Sequence, residues 1–154
     1  MRIEGLSIPA RYLPKSLTQK DRKKQWAMLK NSRKLYTKGR YPTRKKVASF
    51  VSLPSLHVRR AQALYGVPIR PSRALAKASG CPESVLRTIV KKGEGAYYSS
   101  GSRPNQTAQS WAYARLASSL TGGKSAKVDY HLVKRCRPNK KAFQLAQKRL
   151  DRII

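Results

Sequence analysis

Lysine and arginine carry most of the chemistry this chain can do, and that chemistry is contact with anions. There are 35 of them against 6 Asp plus Glu in 154 residues, a formal net charge of +29. Charge on that scale repels itself and attracts polyanions, so a partner that supplies negative charge is expected. Lys20, Lys23, Lys24, Lys30 and Lys34 fall on the polar side of one helical pattern, Arg87 and Lys91 on the outward side of another. Arg103 follows a run of glycine, tyrosine and serine in GAYYSSGSRP. Each of these can hold phosphate, face an acidic protein surface or meet only water.

Other chemistries find little support in the sequence. The six acids are scattered, the glutamates being Glu4, Glu83 and Glu94 alone, and no carboxylate pair is spaced for general acid–base or metal-assisted work. His57 and His131 stand apart, with no ligand at helical spacing, and read as structural or surface residues. Thr121-Gly-Gly-Lys-Ser125 imitates the end of a phosphate loop, but Ser118 occupies the place of its first glycine and a helical pattern precedes it. Cys81 and Cys136 lack the paired spacing of a thiolate metal site; two structural thiols in a reducing compartment are expected, a single disulfide being the alternative. The expectation is therefore a protein that is not an enzyme, with no cofactor, no metal and no small-molecule substrate. No run approaches the roughly 20 apolar residues of a membrane span, and MRIEGLSIPA lacks the apolar stretch of a signal peptide.

The elements that must position these residues read as mainly α. A hydrophobic share of 40%, with 8 Tyr, 2 Phe and 2 Trp, is too apolar for a wholly disordered chain. From Arg11 to Arg70 there are 17 basic residues and one acid, Asp21; from Pro71 onward, 17 basic residues meet 4 acids. This contrast divides the chain into a basic N-terminal arm, residues 1–54, and a compact helical domain, residues 55–154. Within the arm, the prolines of IPARYLPKS favour an extended segment lying on another surface. Thr18 then caps a basic helix over about Gln19 to Tyr36, ending near Gly39. Val47 to Val51 fits either a short strand or an extended connector.

In the second part, Ser55 caps a helix over Leu56 to Tyr65 closed by Gly66, and Ser72 caps a short helix that ends at Gly80. A further helix follows, with Val85, Leu86 and Ile89 as its buried face, ending near Gly93. Gly93, Gly95 and Gly101 mark a loop in which Tyr97 and Tyr98 present flat amphipathic rings that stack bases, dock a protein or cap the core. Asn105 or Thr107 caps the helix that carries Trp111 and Leu116. Gly122 and Gly123 end that helix, and Asn139 caps a last one through which Phe143, Leu145, Ala146, Leu150 and Ile153 dock. About six helical segments result.

Two resemblances rest on these segments. Ala76, Gly80, Val85 and Ile89 occupy positions that match the pattern of a helix-turn-helix, which implies Ser84, Arg87, Thr88 and Lys91 as base or phosphate contacts; Cys81-Pro82 and the acid Glu83 depart from that pattern. The segments LAKASGCPESVLRTIVKKG, GAYYSSGSRP and SWAYARLASSLTGG, within about Tyr65 to Tyr130, resemble a family of small basic proteins encoded by large double-stranded DNA viruses of algae and protists and by some phages. That resemblance implies a virion component, a minor capsid protein on the inner face of the capsid shell with other capsid proteins as partners. Tyr12, Trp26, Tyr41, Tyr97 and Tyr98 would then be its docking anchors. The competing expectation is binding to double-stranded DNA, with the basic side chains on phosphates and the helix-turn-helix-like unit in a groove.

Overall fold

The computed structural model describes residues 2–3 and 6–152, with side chains from Ile8 onward. The fold is mainly α, as the sequence patterning implies: eight α-helices lie among the described residues. A minimal antiparallel pair, β1 (Arg2–Ile3) and β2 (Leu6–Ser7), precedes them. The helices are α1 (Gln19–Tyr36), α2 (Leu56–Tyr65), α3 (Arg73–Ser79), α4 (Glu83–Ser99), α5 (Ala108–Leu120), α6 (Lys124–Val128), α7 (Tyr130–Val133) and α8 (Lys141–Asp151). They belong to two compact units, both discontinuous in sequence. The first comprises residues 1–53 and 94–111, the second residues 54–93 and 112–154.

In the first unit, α1 begins where Thr18 Oγ1 accepts the Asp21 amide at 3.2 Å. Its inward face is partly polar, because Asp21, Gln25 and Ser32 are buried beside Leu29. These groups serve neighbouring backbone: Gln25 Nε2 donates to the carbonyls of Tyr12 and Ser102, and Ser32 Oγ to that of Tyr98. The proline-flanked segment before α1 is not an extended arm. It forms a turn of 3-10 helix over Ala10–Tyr12, and Ile8, Tyr12 and Leu13 pack with Leu29, Trp26 and Trp111 into an apolar core. Proline fixes φ without forbidding a tight turn, and burying those side chains decides the outcome.

Val47 to Val51 is no strand, being broken by a turn at Ala48 and Ser49. A single side chain takes the place of a partner strand: Asn105 Oδ1 accepts the Val47 amide at 2.7 Å while its Nδ2 donates to the carbonyls of Val47 and Phe50. Asn105 sits at φ 63°, a left-handed conformation that asparagine tolerates, so it is not the cap of α5. Thr107 holds that position, its Oγ1 accepting the Ser110 amide at 3.0 Å.

The second unit is built on Leu75, Val85, Leu86, Ile89, Leu116, Leu120 and Val133, with Ala112, Ala117, Ala126, Ala142 and Ala146 admitting close contacts. The caps of α2 and α3 are Ser55 and Ser72, and both helices end on left-handed glycines, Gly66 and Gly80. The last helix starts at Lys140 with no side-chain cap, so Asn139 does not serve it; Ile153 lies outside the described residues. Asp129, fully buried, accepts both arms of the Arg115 guanidinium at 2.7 and 3.0 Å and the Ser119 hydroxyl at 2.8 Å. Cys81 and Cys136 form a disulfide rather than two thiols, a pairing that their sequence separation of 55 conceals. It stands beside the bond from the Arg137 amide to the Gly80 carbonyl, so the turn after α3 is tied twice to the segment leading into α8.

The stretch expected as a glycine loop is helix. Through Gly93, Gly95, Tyr97 and Tyr98, α4 continues to Ser99. Gly93 serves an approach of α4 to α5: a Cβ there would lie 2.7 Å from Ala112 Cα, whereas one on Gly95 would meet nothing within 4 Å. Two substitutions should therefore move stability in opposite directions. Gly93→Ala is expected to cost about 1–3 kcal/mol by overpacking. Gly95→Ala is expected to gain about 0.5–1 kcal/mol from helix propensity. Urea unfolding of each variant checks both signs. Reduction of the disulfide should separately lower stability by about 2–4 kcal/mol. Thiol titration before and after unfolding without reductant should find no free thiol.

Candidate anion-binding surface

A positive surface needs its acids out of the way, and in the first unit α1 arranges this. Helical geometry places Lys20, Lys23, Lys24, Lys30 and Lys34 along one side, and all five residues are exposed. The stripe extends over about 21 Å at 1.5 Å per residue. The single acid of the helix, Asp21, faces the other way and accepts from the amide and hydroxyl of Ser49. Those hydrogen bonds, aided by Lys24 and Lys20, hold its carboxyl below the usual carboxylate range. Beside the first turn lies an open depression of about 530 Å³ lined by Thr18, Lys20, Asp21, Lys24, Lys46, Ala48 and Ser49.

Behind the stripe, the 40–53 connector is fixed by Arg44, only 8% exposed and lying on the Tyr97 ring at 3.8 Å from its centroid. Its guanidinium donates to Ser32 Oγ, the Tyr97 carbonyl and Ser102 Oγ at 2.8–2.9 Å. Its amide donates to the Tyr97 hydroxyl, which in turn donates to the Gln106 carbonyl. Burial lowers the guanidinium's pKa, with the tyrosines opposing that shift. Arginine nevertheless stays charged at neutral pH, and ring and oxygen dipoles carry the compensation here.

From Arg44 a line of tyrosine rings leads outward. Tyr97 meets Tyr98 edge-on at 5.1 Å, Tyr98 meets Tyr41 at 5.4 Å, and Tyr41 meets Tyr36 at 5.8 Å. Tyr97 is fully buried, Tyr98 half-buried, Tyr36 39% and Tyr41 59% exposed. Burial, then Tyr97 and Glu94, pushes the Tyr98 hydroxyl pKa up, so it remains a neutral phenol.

The cations expected to meet anions therefore fall into groups. The five α1 lysines share a face; Arg103 is exposed on the loop before α5; Arg87 and Lys91 are exposed on the part of α4 that belongs to the second unit. Arg87 approaches Glu83 at 3.5 Å, which offsets part of its charge. Among the docking anchors, Tyr12 and Tyr97 are committed to the core of their own unit, and Trp26 packs half-buried against it beneath Lys30. The rings of Tyr12 and Tyr97 are thus spent inside the unit, because burying them is what stabilises so polar a core, while Trp26 keeps part of its ring exposed. Tyr41 and part of Tyr98 remain accessible. Arg44 and the surface role of Tyr36 are invisible to sequence reading. The adjacent Lys45 and Lys46 give Arg44 no distinguishing signal, and Tyr36 joins the rings only through a chain reversal after α1.

Among the described residues, no group of three His, Cys, Asp or Glu side chains is placed to hold a metal ion, and no helix is long and apolar enough to cross a membrane. Residues 9–142 match a family of unknown function, DUF5824, and the chain belongs to that family. The match extends beyond both ends of the resemblance drawn from residues 65–130. Neither a curated protein nor a solved structure gives a match.

Two expected outcomes test this geometry. Arg44→Met should cost about 2–4 kcal/mol through loss of the charged hydrogen bonds and of the packing on the Tyr97 ring, and Arg44→Lys, which keeps the charge but loses the planar fork, should also destabilise. Chemical denaturation measures both. Asp21 has a lower pKa folded than unfolded, so its stabilisation is full above the unfolded value near 4 and is lost as pH falls through the folded one. Asp21→Asn should remove that part of the acid-side decline in a series of melts between pH 7 and pH 2.

Proposed function

We propose that this protein is a non-enzymatic structural component of a DNA virus particle, a minor protein at the inner face of the capsid whose cationic surface contacts packaged double-stranded DNA. The observation that carries the nucleic-acid part is the lysine face of α1, with the acid of that helix turned inward onto Ser49. Asp129 is likewise withdrawn into the second unit, where it pairs one-to-one with Arg115 and leaves the excess of cations unchanged. Phosphates set along a polymer suit such a stripe, because each lysine that engages one releases a condensed counterion. The viral setting rests on the resemblance carried by GAYYSSGSRP and SWAYARLASSLTGG.

Docking on capsid protein draws on a different feature. Val51 and Leu53, in the extended connector, are 79% and 81% exposed and offer apolar side chains to a protein surface. They take over the role expected of the buried Tyr12 and Tyr97. Arg87 and Lys91 support a second mode, in which α4 enters a DNA groove, but the Glu83 pairing weakens it.

Duplex binding across about 50–500 mM salt separates the two modes. Replacing Lys20, Lys24, Lys30 and Lys34 together by alanine should reduce the slope of log K against log salt by about 3 to 4, at ~0.9 for each phosphate no longer neutralised. Arg87→Ala with Lys91→Ala should change it little. The opposite ranking would move the interface to α4. Duplex binding by the wild type no tighter than that of an equally basic unfolded peptide would overturn the nucleic-acid reading.

A further inference from the structure

The tyrosines beside the lysine stripe have a geometry that phosphate binding alone does not use. Tyr36 closes α1, Tyr41 follows the reversal at Gly39, which has φ 74°, and Tyr98 comes from the last turn of α4. Three separate stretches of chain thus bring their rings to one place, centroids 5.4 and 5.8 Å apart, at the surface of a single unit. The innermost ring is braced edge-on by Tyr97, which is itself held beneath Arg44. Such bracing fixes the rings before any ligand arrives and reduces the entropy lost on binding.

We propose that Tyr41, flanked by Tyr36 and Tyr98, is a stacking platform for unpaired bases of single-stranded nucleic acid. Lys34, Lys38 and Arg40, all exposed and within a few residues of Tyr36 and Tyr41, take the phosphates of the same strand. The occupant follows from this combination. A duplex keeps its base faces inside the helix and can use only the cations, whereas an unpaired strand presents base faces and phosphates together. Glu94, exposed one turn before Tyr98, repels phosphate and confines the strand's backbone to the lysine and arginine side of the rings.

This inference rests on the nucleic-acid reading above, and the experiment separates their failures. Full-length protein is titrated at 150 mM salt with fluorescein-labelled oligothymidine of about 20 nucleotides and with a duplex of equal length, anisotropy being recorded. Tyr41→Ala, at an exposed position, should weaken single-strand binding about tenfold or more, in line with the loss of one base–aromatic stack. Duplex affinity should stay within about twofold, and Tyr41→Phe should retain the single-strand affinity. Tyr36→Ala, whose circular dichroism melt reports folding independently, should act in the same direction. Equal loss for both DNA forms, or no loss for the single strand, overturns the platform while leaving the lysine stripe intact. Failure of the wild type to bind either form overturns both readings.

Discussion

A buried guanidinium with no carboxylate beside it among the described residues organises the first unit. Arg44 gathers the inner face of α1, the end of α4 and the loop after it around one charge, using Ser32, the Tyr97 carbonyl, Ser102 and the Tyr97 ring. Burying an ion is unfavourable, and hydrogen bonds to its donors are what make it tolerable. In a chain with 6 acids among 154 residues, few carboxylates remain for that task. Neutral oxygens and an aromatic face compensate the charge instead. The same constraint explains why the inner side of α1 carries Ser32 where a more ordinary amphipathic helix would carry leucine.

Two of the few acids are committed to structure. Asp21 ties the start of α1 to Ser49, and Asp129 joins Arg115 and Ser119 in the second unit. Each carboxylate removed from the surface organises a junction and at the same time leaves the neighbouring cations less opposed. Internal cohesion and surface potential are therefore set by the same residues. The tyrosine line works similarly, since its inner ring is a packing element and its outer rings are exposed surface.

Much of this was legible in the sequence where the signal is local. The bounds of α1, the serine caps of α2 and α3 and the left-handed glycines that end those two helices depend on residues within a turn of each other. Gly93 and Gly95 misled because glycine normally weakens a helix, and only the closeness of Ala112 reveals the use of the first. Asn105 has the residue type of a cap, whereas its side chain is bound to Val47, 58 residues away. Tyr12 has the look of an anchor for a partner because nothing near it in sequence discloses that Leu29 and Trp111 complete its surroundings. The lysine face of the site was readable from periodicity. Arg44 was not, since its partners Tyr97 and Ser102 lie more than fifty residues downstream.

The interleaving of the two units bears on how the gene can change. Residues 94–111 complete the unit that residues 1–53 begin, and the other unit is cut by that same excursion. No single crossover in the coding sequence can transfer one unit without a piece of the other. Duplication, fusion and exchange, the ordinary traffic of modular domains, are closed to them separately. Such interleaving favours inheritance of the two units as one piece, with change admitted by substitution at their surfaces or by insertion in their loops.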